Sequence, residues 1–296
     1  MSSTEPEGDE AITKEEITGQ ASTPIPGPSQ SSSKQPRLRN AFTELMKPTP
    51  KPPPPPPAPP RASNLTNRFK NRDGLGAYTA DPTAFPPSRV IYHDDRFVAI
   101  HDLYPKATIH TLLLSRSPAH ALLHPFDALD DPAFLADVQA EALRLRALVA
   151  KELRRRLGAG SERERRRERA LAEQQVQGGG GGGGEVEIPA GRDWEAEIRV
   201  GIHSRPSMNH LHVHVFSRDM HSPCMKHRKH YNSFNTPFLI DVADFPLAKD
   251  DPRRHPGHQG YLDRSLRCWR CGKEFGNKFK ALKDHLEEEF EEWKRE

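Results

Sequence analysis

Cysteine is scarce in this 296-residue sequence, and the three residues present are too few for the disulfide framework of a secreted protein. Hydrophobic residues make up only 34% of the chain, below the roughly 45–50% of an ordinary globular domain, so part of it cannot pack into a core. No segment approaches the roughly 20 apolar residues of a membrane span, and the acidic amino terminus is unlike a secretory signal. We therefore expect a protein of a reducing compartment with no membrane partner.

Proline is abundant instead, and it is concentrated at the amino terminus. Residues 1–66 hold 15 of the 29 prolines, including the run Pro52–Pro57. This composition predicts a disordered arm with a stiff polyproline spacer. Within the arm, Phe42, Leu45 and Met46 have the spacing of one helical face, so a short partner-docking helix and an unstructured apolar segment both remain open.

A second stretch of biased composition covers residues 158–190. It contains a mixed charge run from Glu162 to Arg169 and seven consecutive glycines, Gly178–Gly184. We interpret it as a low-complexity insertion in a surface loop, because the entropy of closing a loop grows only slowly with its length. The charge run then forms a solvated helix extension or a tether.

Four segments have the apolar, β-branched composition of strands, and a helix is predicted between the second and the third. Asp131 is the expected N-cap, Pro132 occupies the first helical position, and the apolar stripe ends near Gly158. The order of elements predicts an α+β domain with its helix on one face of the sheet. The strand-like segments are Arg96–Leu103, Thr111–Ser115, Glu197–His203 and His210–Phe216.

The last of these segments alternates histidine with aliphatic residues. Because successive strand residues face opposite sides, His210, His212 and His214 are predicted to share one face. Two chemistries use such a face. A His-x-His pair with a third ligand can hold a catalytic metal ion, or the central imidazole can attack phosphorus and form a covalent intermediate. The spacing alone does not choose between them.

The carboxy-terminal region has the spacing of a zinc finger. Cys268 and Cys271 are followed by His285 and Glu289, close to the two-cysteine, two-histidine pattern. Carboxylate oxygen is an acceptable zinc ligand, and residues four apart share a helix face, although Glu288 is a rival to Glu289. Four protein ligands leave no open position, so the predicted site is structural.

The helix after Asn277 carries an apolar stripe that is predicted to dock the finger onto the preceding domain. The stripe consists of Phe279, Leu282, Leu286, Phe290 and Trp293. We expect domain limits of 67–245 and 246–296. A single finger covers about three base pairs, so we expect it to grip the nucleic-acid backbone rather than to read sequence.

A basic loop lies between the histidine segment and the finger. The net charge of the whole chain is only +3, so overall composition does not indicate a polyanionic partner. The loop nevertheless concentrates Lys226, Arg228 and Lys229, for which contact with phosphate groups is the natural role.

These motifs together resemble a known family. His210 to Phe216 matches the histidine-triad motif, His-φ-His-φ-His-φ-φ, where φ is an apolar residue. Residues 203–217, 222–235 and 102–107, with Cys-Trp-Arg-Cys in the finger, look like the aprataxin branch in its fungal layout. The resemblance covers roughly residues 65–157 and 191–296. It implies an antiparallel histidine-triad sheet with helices, plus a small ββα finger that holds one structural zinc ion.

The resemblance also implies a function. The chain would be a DNA 5′-adenylate hydrolase that removes AMP from adenylylated nicked or broken DNA during single-strand break repair, without a catalytic metal. His212 would attack the AMP phosphorus, and His210 and His214 would hold the phosphate and the attacking ring. His203 would lie near the leaving 5′-phosphate as a general acid. This substrate implies a nuclear protein whose amino-terminal arm contacts a repair protein.

The resemblance assigns supporting roles to further residues. Ser207 would contact the phosphate, Asp102 would hydrogen-bond the ribose hydroxyls, and Lys106 would lie beside it. Lys229 would touch the damaged end, and Phe69 would wedge against the exposed base pair.

Two alternatives stay open. One is a small-molecule nucleotide hydrolase or phosphoramidase of the same superfamily, against which the finger and the basic loop argue. The other is a non-enzymatic nucleic-acid-binding finger protein, against which the intact triad argues.

Overall fold

A computed structural model of the protein describes residues 71–177 and 187–296. The predicted arm, residues 1–66, and Phe69 lie outside these residues, as does the glycine run. In the described part of the chain, no helix combines the length and the apolar character needed to cross a membrane.

The centre of the fold is a six-stranded antiparallel sheet with the order β1-β2-β3-β5-β4-β6. The four predicted strands correspond to β2, β3, β4 and β5, and two short edge strands, β1 and β6, complete the sheet. The predicted α+β class is therefore confirmed. The six strands are β1 Val90–His93, β2 Phe97–His101, β3 His110–Ser115, β4 Ile198–His203, β5 His212–Ser217 and β6 Leu239–Asp241.

Seven α-helices and several 3₁₀ turns are described. The predicted helix start is confirmed, because the Asp131 carboxylate accepts hydrogen bonds from the backbone N–H groups of Ala133 and Phe134. The helices are α1 Gly76–Ala80, α2 Pro125–Ala128, α3 Pro132–Leu157, α4 Glu162–Gln177, α5 Arg228–Asn235, α6 Pro256–Gln259 and α7 Phe279–Trp293. The 3₁₀ turns are Asn71–Asp73, Pro82–Ala84, Gly158–Gly160, Val242–Asp244, Pro252–Arg254 and Tyr261–Asp263.

Helix α3 covers one face of the sheet. Its Leu145 and Leu153 are fully buried in the same cluster as Val213 and Val215 of β5. Burial of each leucine contributes roughly 1.5–3 kcal/mol relative to exposure, so this face is the main core. Because side chains alternate along β5, the opposite face is left for His212, His214 and Phe216.

Strand β5 begins two residues later than the sequence predicts. The Leu211 N–H donates to the Ala121 carbonyl oxygen, 2.8 Å away in a loop, rather than to a neighbouring strand. The pairing of β5 with β3 correspondingly ends at His212 opposite Leu114. Strand alternation therefore accounts for His212 and His214, whereas His210 precedes the strand.

The start of the 158–190 stretch is packed rather than solvated. Glu164, in the first turn of α4, is 3% exposed. Its carboxylate accepts hydrogen bonds from Trp194 Nε1 and Arg154 Nη2, each 2.8 Å away. These partners lie far apart in the chain, which is why composition alone suggested a solvated run. The predicted surface character fits the rest of α4, where the described side chains are largely exposed.

The finger is a ββα unit formed by β7 Leu266–Arg267, β8 Glu274–Gly276 and α7. Its predicted docking is confirmed, since Trp293 is 1% exposed and belongs to the main core. The Arg192 guanidinium lies between the rings of Trp194 and Trp293, 4.7 Å from each centroid. The finger therefore shares a core with the domain that precedes it.

Candidate functional site

A cavity opens on the sheet face opposite α3. Five imidazoles line it, those of His101, His110, His203, His212 and His214, and we refer to it as the histidine cavity. The predicted residues Asp102, Lys106 and Ser207 line it as well. His210 is buried but is not among the lining side chains.

The backbone fixes the protonation pattern of His212. Its Nδ1 lies 2.7 Å from the carbonyl oxygen of His210, and because a carbonyl can only accept, Nδ1 carries the hydrogen. Burial lowers the pKa of the His212 ring, which is therefore neutral at neutral pH. In this neutral ring Nε2 holds an unprotonated lone pair. The backbone carbonyl group of His210 thus fixes the orientation and the protonated nitrogen of His212.

A chain of hydrogen bonds likewise orients His214. The Lys106 backbone N–H donates to His110 Nδ1 at 3.1 Å, so His110 carries its hydrogen on Nε2. That Nε2 lies 2.9 Å from His214 Nδ1 and donates to it. Burial lowers the pKa of both rings, to about 4 for His110, so both are neutral. His214 consequently carries its hydrogen on Nε2.

Two imidazole nitrogens have no protein partner in the cavity. His203 Nε2 and His214 Nε2 are buried and make no hydrogen bond within the described residues. Burial lowers the pKa of His203 well below its usual range, and the neighbouring rings of His212 and His110 add to the effect. Buried polar groups in native proteins nearly always have a partner. These two nitrogens are therefore placed to bind a polar ligand.

His110 is a site residue that the sequence analysis missed. It begins β3 and pairs in register with Phe216, which puts it on the same sheet face as His214. The sequence feature that could have identified His110 is its position one residue before the predicted strand Thr111–Ser115. Recognising it required the pairing of β3 with β5, which spacing along the chain does not reveal.

Asp102 and Lys106 have structural contacts at the cavity edge. Asp102 Oδ1 accepts from the Tyr104 N–H at 2.8 Å, and Oδ2 lies 3.5 Å from His110 Nε2. Lys106 is 6% exposed, and its Nζ donates to the Tyr104 carbonyl oxygen at 2.8 Å. Asp102 thus closes a turn after β2 while it lines the cavity, and Lys106 is not a solvated surface charge.

The predicted basic loop is only partly a loop, since Arg228 and Lys229 form the first turn of α5, and it lies outside the histidine cavity. Arg228 is ion-paired with Asp263 and donates to Asn277 Oδ1, each at 2.6 Å, so it joins α5 to the finger. Lys226 is exposed and Lys229 is half-buried. The structure therefore gives Arg228 a bridging contact that sequence reasoning did not predict.

The four predicted zinc ligands converge in the finger. One ligand atom from each of Cys268, Cys271, His285 and Glu289 lies within 4.8 Å of all the others. Cys271 Sγ is 3.1 Å from His285 Nε2, which is 3.0 Å from Glu289 Oε1. Two thiolates, an imidazole and a carboxylate form a typical tetrahedral zinc donor set.

The geometry favours Glu289 over its rival. The Glu289 side chain is 8% exposed, whereas that of Glu288 is 82% exposed and reaches only to 4.0 Å from His285 Nδ1. Arg270 Nη1 donates to Glu289 Oε2 at 2.5 Å, leaving Oε1 directed at the cluster. Such outer contacts orient a metal ligand.

The alternative of a metal held by a His-x-His pair fits the histidine cavity less well. Ligand atoms of Asp102, His110 and His214 lie within 4.8 Å of one another, but His212 does not belong to this group. The 2.9 Å between the rings of His110 and His214 is a hydrogen-bond distance. The side chains of the cavity therefore match a pair of hydrogen-bonded imidazoles better than a metal held by His212 and His214.

Comparison with known proteins identifies a family for each of the two regions. The HIT domain family matches residues 85–221, and the C2HE / C2H2 / C2HC zinc-binding finger family matches residues 235–292. An aprataxin-like protein of Schizosaccharomyces pombe is 31% identical over 228 residues, covering 75% of this chain and 82% of that protein. One from Saccharomyces cerevisiae is 31% identical over 223 residues, covering 74% and 95%. Zebrafish (Danio rerio) aprataxin is 29% identical, covering 68% and 49%.

Solved structures resemble the chain over the same regions. A crystal structure of the aprataxin ortholog Hnt3 in complex with DNA has a TM-score of 0.56 and 29% identity, covering 75% of this chain and 96% of that chain. A structure of Hnt3 in complex with DNA and guanosine has a TM-score of 0.55 and 29% identity, with the same coverage. The fold that holds the histidine cavity and the zinc cluster is therefore shared with these proteins.

Proposed function

Because this chain belongs to the aprataxin family of histidine-triad proteins, we propose that it is a DNA 5′-adenylate hydrolase of single-strand break repair. A nucleotide-hydrolase role in DNA processing follows from the family, and the proposal adds the bond that is cleaved. The substrate is adenylylated nicked or broken DNA, in which a pyrophosphate links AMP to a 5′-phosphate. Such a substrate makes the protein nuclear.

The observation that carries the proposal is the hydrogen bond from His212 Nδ1 to the His210 carbonyl oxygen. It leaves the Nε2 lone pair free to attack the AMP phosphorus. A P–N bond then forms as the pyrophosphate P–O bond breaks, and the DNA 5′-phosphate leaves. Water subsequently attacks the same phosphorus, so that the P–N bond breaks and AMP departs.

The neighbouring histidines stabilise charge in this scheme. His214 donates its Nε2–H to a non-bridging phosphoryl oxygen, as donors do in an oxyanion hole. His203 protonates the leaving 5′-phosphate. Burial keeps His203 neutral in the empty cavity, and the negative charge of a bound pyrophosphate raises its pKa toward the range that a general acid needs.

The remaining predicted residues position the substrate. Ser207 hydrogen-bonds a phosphate oxygen, Asp102 accepts from ribose hydroxyls, and the Lys106 cation neutralises phosphate charge. All three line the cavity, which supports these roles. No catalytic metal is required, because every step uses an imidazole or water.

Outside the cavity, contacts with DNA are assigned to the basic loop and the finger. Lys226 and Lys229 contact the backbone near the break, and Phe69 wedges against the terminal base pair. Arg228 contributes by holding the loop against the finger. The finger, folded around one structural zinc ion, grips the duplex.

A substrate comparison tests the proposal. The full chain is incubated separately with a 5′-adenylylated nicked duplex and with AMP-lysine, and kcat/KM is measured for each. We expect a preference for the nicked duplex of at least about 100-fold. Mass spectrometry of quenched turnover mixtures should find AMP on the peptide that contains His212. Equal or better turnover of AMP-lysine would indicate a small-molecule phosphoramidase, and turnover of neither substrate would indicate a binding protein.

A further inference from the structure

A second concavity, of about 1340 Å³, lies beside the finger and is separate from the histidine cavity. It is bounded by the edge of β4, by α3 and by the Cys-x2-Cys turn of the finger. Arg146, Arg199, Arg218 and Arg267 line it, and we call it the arginine groove. Phe234 separates the two cavities, since it lines the histidine cavity while its carbonyl oxygen accepts from Arg199 Nη1.

Arginines outnumber carboxylates in the groove, where Asp241 and Asp244 also line the wall. Within residues 71–177 and 187–296, none of the four forms an ion pair with a carboxylate. Two further arginines at the margin are paired: Arg253 with Asp251 and Asp244, and Arg270 with Glu289, Glu292 and Glu296. The groove therefore retains an excess of positive charge that the described residues do not neutralise.

Arg199 and Arg218 are the two arginines at which this excess of positive charge destabilises the folded protein most. Burial lowers the pKa of Arg199, and the positive charge of Arg218 lowers it further, against the opposing effect of the Asp241 carboxylate. Arg218 stacks on the Trp269 ring at 4.8 Å, and its buried Nε has no hydrogen-bond partner among the described residues. Two partly desolvated like charges with an unsatisfied donor are stabilised when an anionic group binds between them.

The walls of the groove favour a peptide over a nucleic-acid backbone. Strand β6 pairs with β4 only from Gly201 to His203, so no described strand covers Ile198–Val200. The Ile198 N–H already donates to the Glu195 carbonyl oxygen, which leaves the Val200 end of this edge open. Such an edge accepts an additional strand through backbone hydrogen bonds. Leu143, which is 59% exposed, adds an apolar wall beside it. A phosphodiester backbone would use neither feature.

The chain itself contains a segment with the matching chemistry. Residues 5–18 carry six carboxylates against one lysine, and Ile12 and Ile17 supply β-branched apolar side chains. Between Thr18 and Asn71 lie 52 residues, which would span about 40 Å as a flexible chain, and the predicted polyproline spacer would lengthen this reach. A folded domain of this size has a radius of gyration of roughly 17 Å, so the tether is long enough to reach the groove.

We propose that the acidic segment of residues 5–18 docks in the arginine groove, beside the open Val200 end of the β4 edge. Its carboxylates pair with the four guanidinium groups, and its isoleucines contact Leu143. The linkage keeps the segment at an effective concentration in the millimolar range, so even a weak contact is occupied.

Hydrogen exchange in the full chain tests the contact. In an arm variant, Glu5, Glu7, Asp9, Glu10, Glu15 and Glu16 are replaced by the corresponding amides. We expect the peptide containing Ile198–Val200 to exchange at least about 10-fold faster in this variant than in the natural chain. Unchanged exchange would overturn the proposal.

A charge swap tests the specificity. The variant Arg146→Glu with Arg267→Glu should release the segment, and adding Glu15→Lys with Glu16→Lys should restore protection of β4. A matched control, Arg163→Glu with Arg169→Glu, changes the same charge on the exposed face of α4 and should leave protection unchanged. If the control variant also loses protection of β4, the contact does not depend on these particular arginines. If the added lysines do not restore protection, the proposed pairing of carboxylates with guanidinium groups is wrong.

Two other occupants are distinguished by added probes. A synthetic peptide of residues 1–20 should bind the arm variant and should bind the groove variant at least about 10-fold more weakly. If a labelled unadenylylated duplex instead loses affinity in the groove variant while the peptide does not, the groove binds nucleic acid. If the arm variant binds neither the peptide nor the duplex, the acidic-segment proposal is wrong.

Discussion

The histidine cavity and the zinc cluster use the same kind of side chain in opposite ways. In the cluster, His285 Nε2 lies 3.0 Å from Glu289 Oε1 and 3.1 Å from Cys271 Sγ, so the ligand atoms converge on a shared centre. In the cavity, His214 bonds to His110 through one nitrogen, while its other nitrogen is buried and has no partner in the described structure. Ligand atoms that converge on one centre form a closed structural site. An imidazole nitrogen without a protein partner instead forms part of a site that can bind a substrate.

The largest effect is expected from a substitution that impairs the histidine cavity and leaves the zinc cluster intact. His212→Ala removes the proposed nucleophile, and we expect kcat/KM for adenylylated DNA to fall by at least about 10⁴-fold. Zinc content and Tm should stay close to those of the natural chain, because the substitution touches neither the cluster nor the α3 core. Activity that persists in this variant would show that another group attacks the phosphorus.

The converse variant breaks the cluster. Cys271→Ala removes one of four zinc ligands, and we expect a loss of bound zinc and a decrease of about 3–5 kcal/mol in the free energy of unfolding. Metal analysis and denaturant unfolding measure the two effects. Cys224→Ala, at a cysteine outside the cluster, is the control and should retain zinc. A stable, zinc-replete Cys271→Ala protein would contradict the assigned ligand set.

A pH titration sharpens the comparison, because the cavity histidines are neutral and buried. Burial lowers the pKa of His110 to about 4, whereas the unfolded chain titrates near 6.5. The unfolded state therefore binds more protons between these values, and stability falls as the pH decreases from about 6.5 to about 4. His110 contributes a loss of about 3 kcal/mol over this window.

Denaturant unfolding at several pH values measures this loss. His110→Gln has no titrating ring at this position, so its stability should vary less steeply with pH. Parallel pH profiles for the two proteins would show that His110 does not titrate as a buried neutral ring.

The smallest expected effect is a difference in zinc affinity between substitutions of two adjacent glutamates. Glu289→Gln should weaken zinc binding by about 10- to 100-fold, because the amide is a poorer ligand and Arg270 loses its buried partner. Glu288→Gln should change zinc affinity by less than about 2-fold, since its side chain is 82% exposed. Competition with a chelator measures both affinities. Equal effects would leave the ligand assignment between them open.

Features with a local signature were predictable from the sequence. Asp131 and Pro132 marked the helix start because capping depends on neighbouring residues. The zinc ligands were predictable because two of them flank a tight turn and two share a helix face. Alternation along β5 likewise identified His212 and His214.

Features that depend on distant segments were not predictable. His110 joins the cavity only through the register between β3 and β5, and Glu164 is buried only because Trp194 and Arg154 meet it in the fold. The late start of β5, at His212 rather than His210, likewise depends on the Ala121 carbonyl oxygen. The spacing of residues along the chain does not indicate such long-range contacts, so the roles of these residues could be identified only from the structure.

The position of Arg192 between two indole rings has a consequence for how the protein melts. One ring, that of Trp194, belongs to the segment before β4, and the other, that of Trp293, ends the last helix of the finger. Separating the finger would break two hydrogen bonds of 2.7 Å as well as this stacking, since Arg192 Nη1 donates to the Trp293 carbonyl oxygen and Trp293 Nε1 donates to Glu197 Oε2. The sheet and the finger should consequently denature together, giving one calorimetric peak rather than two.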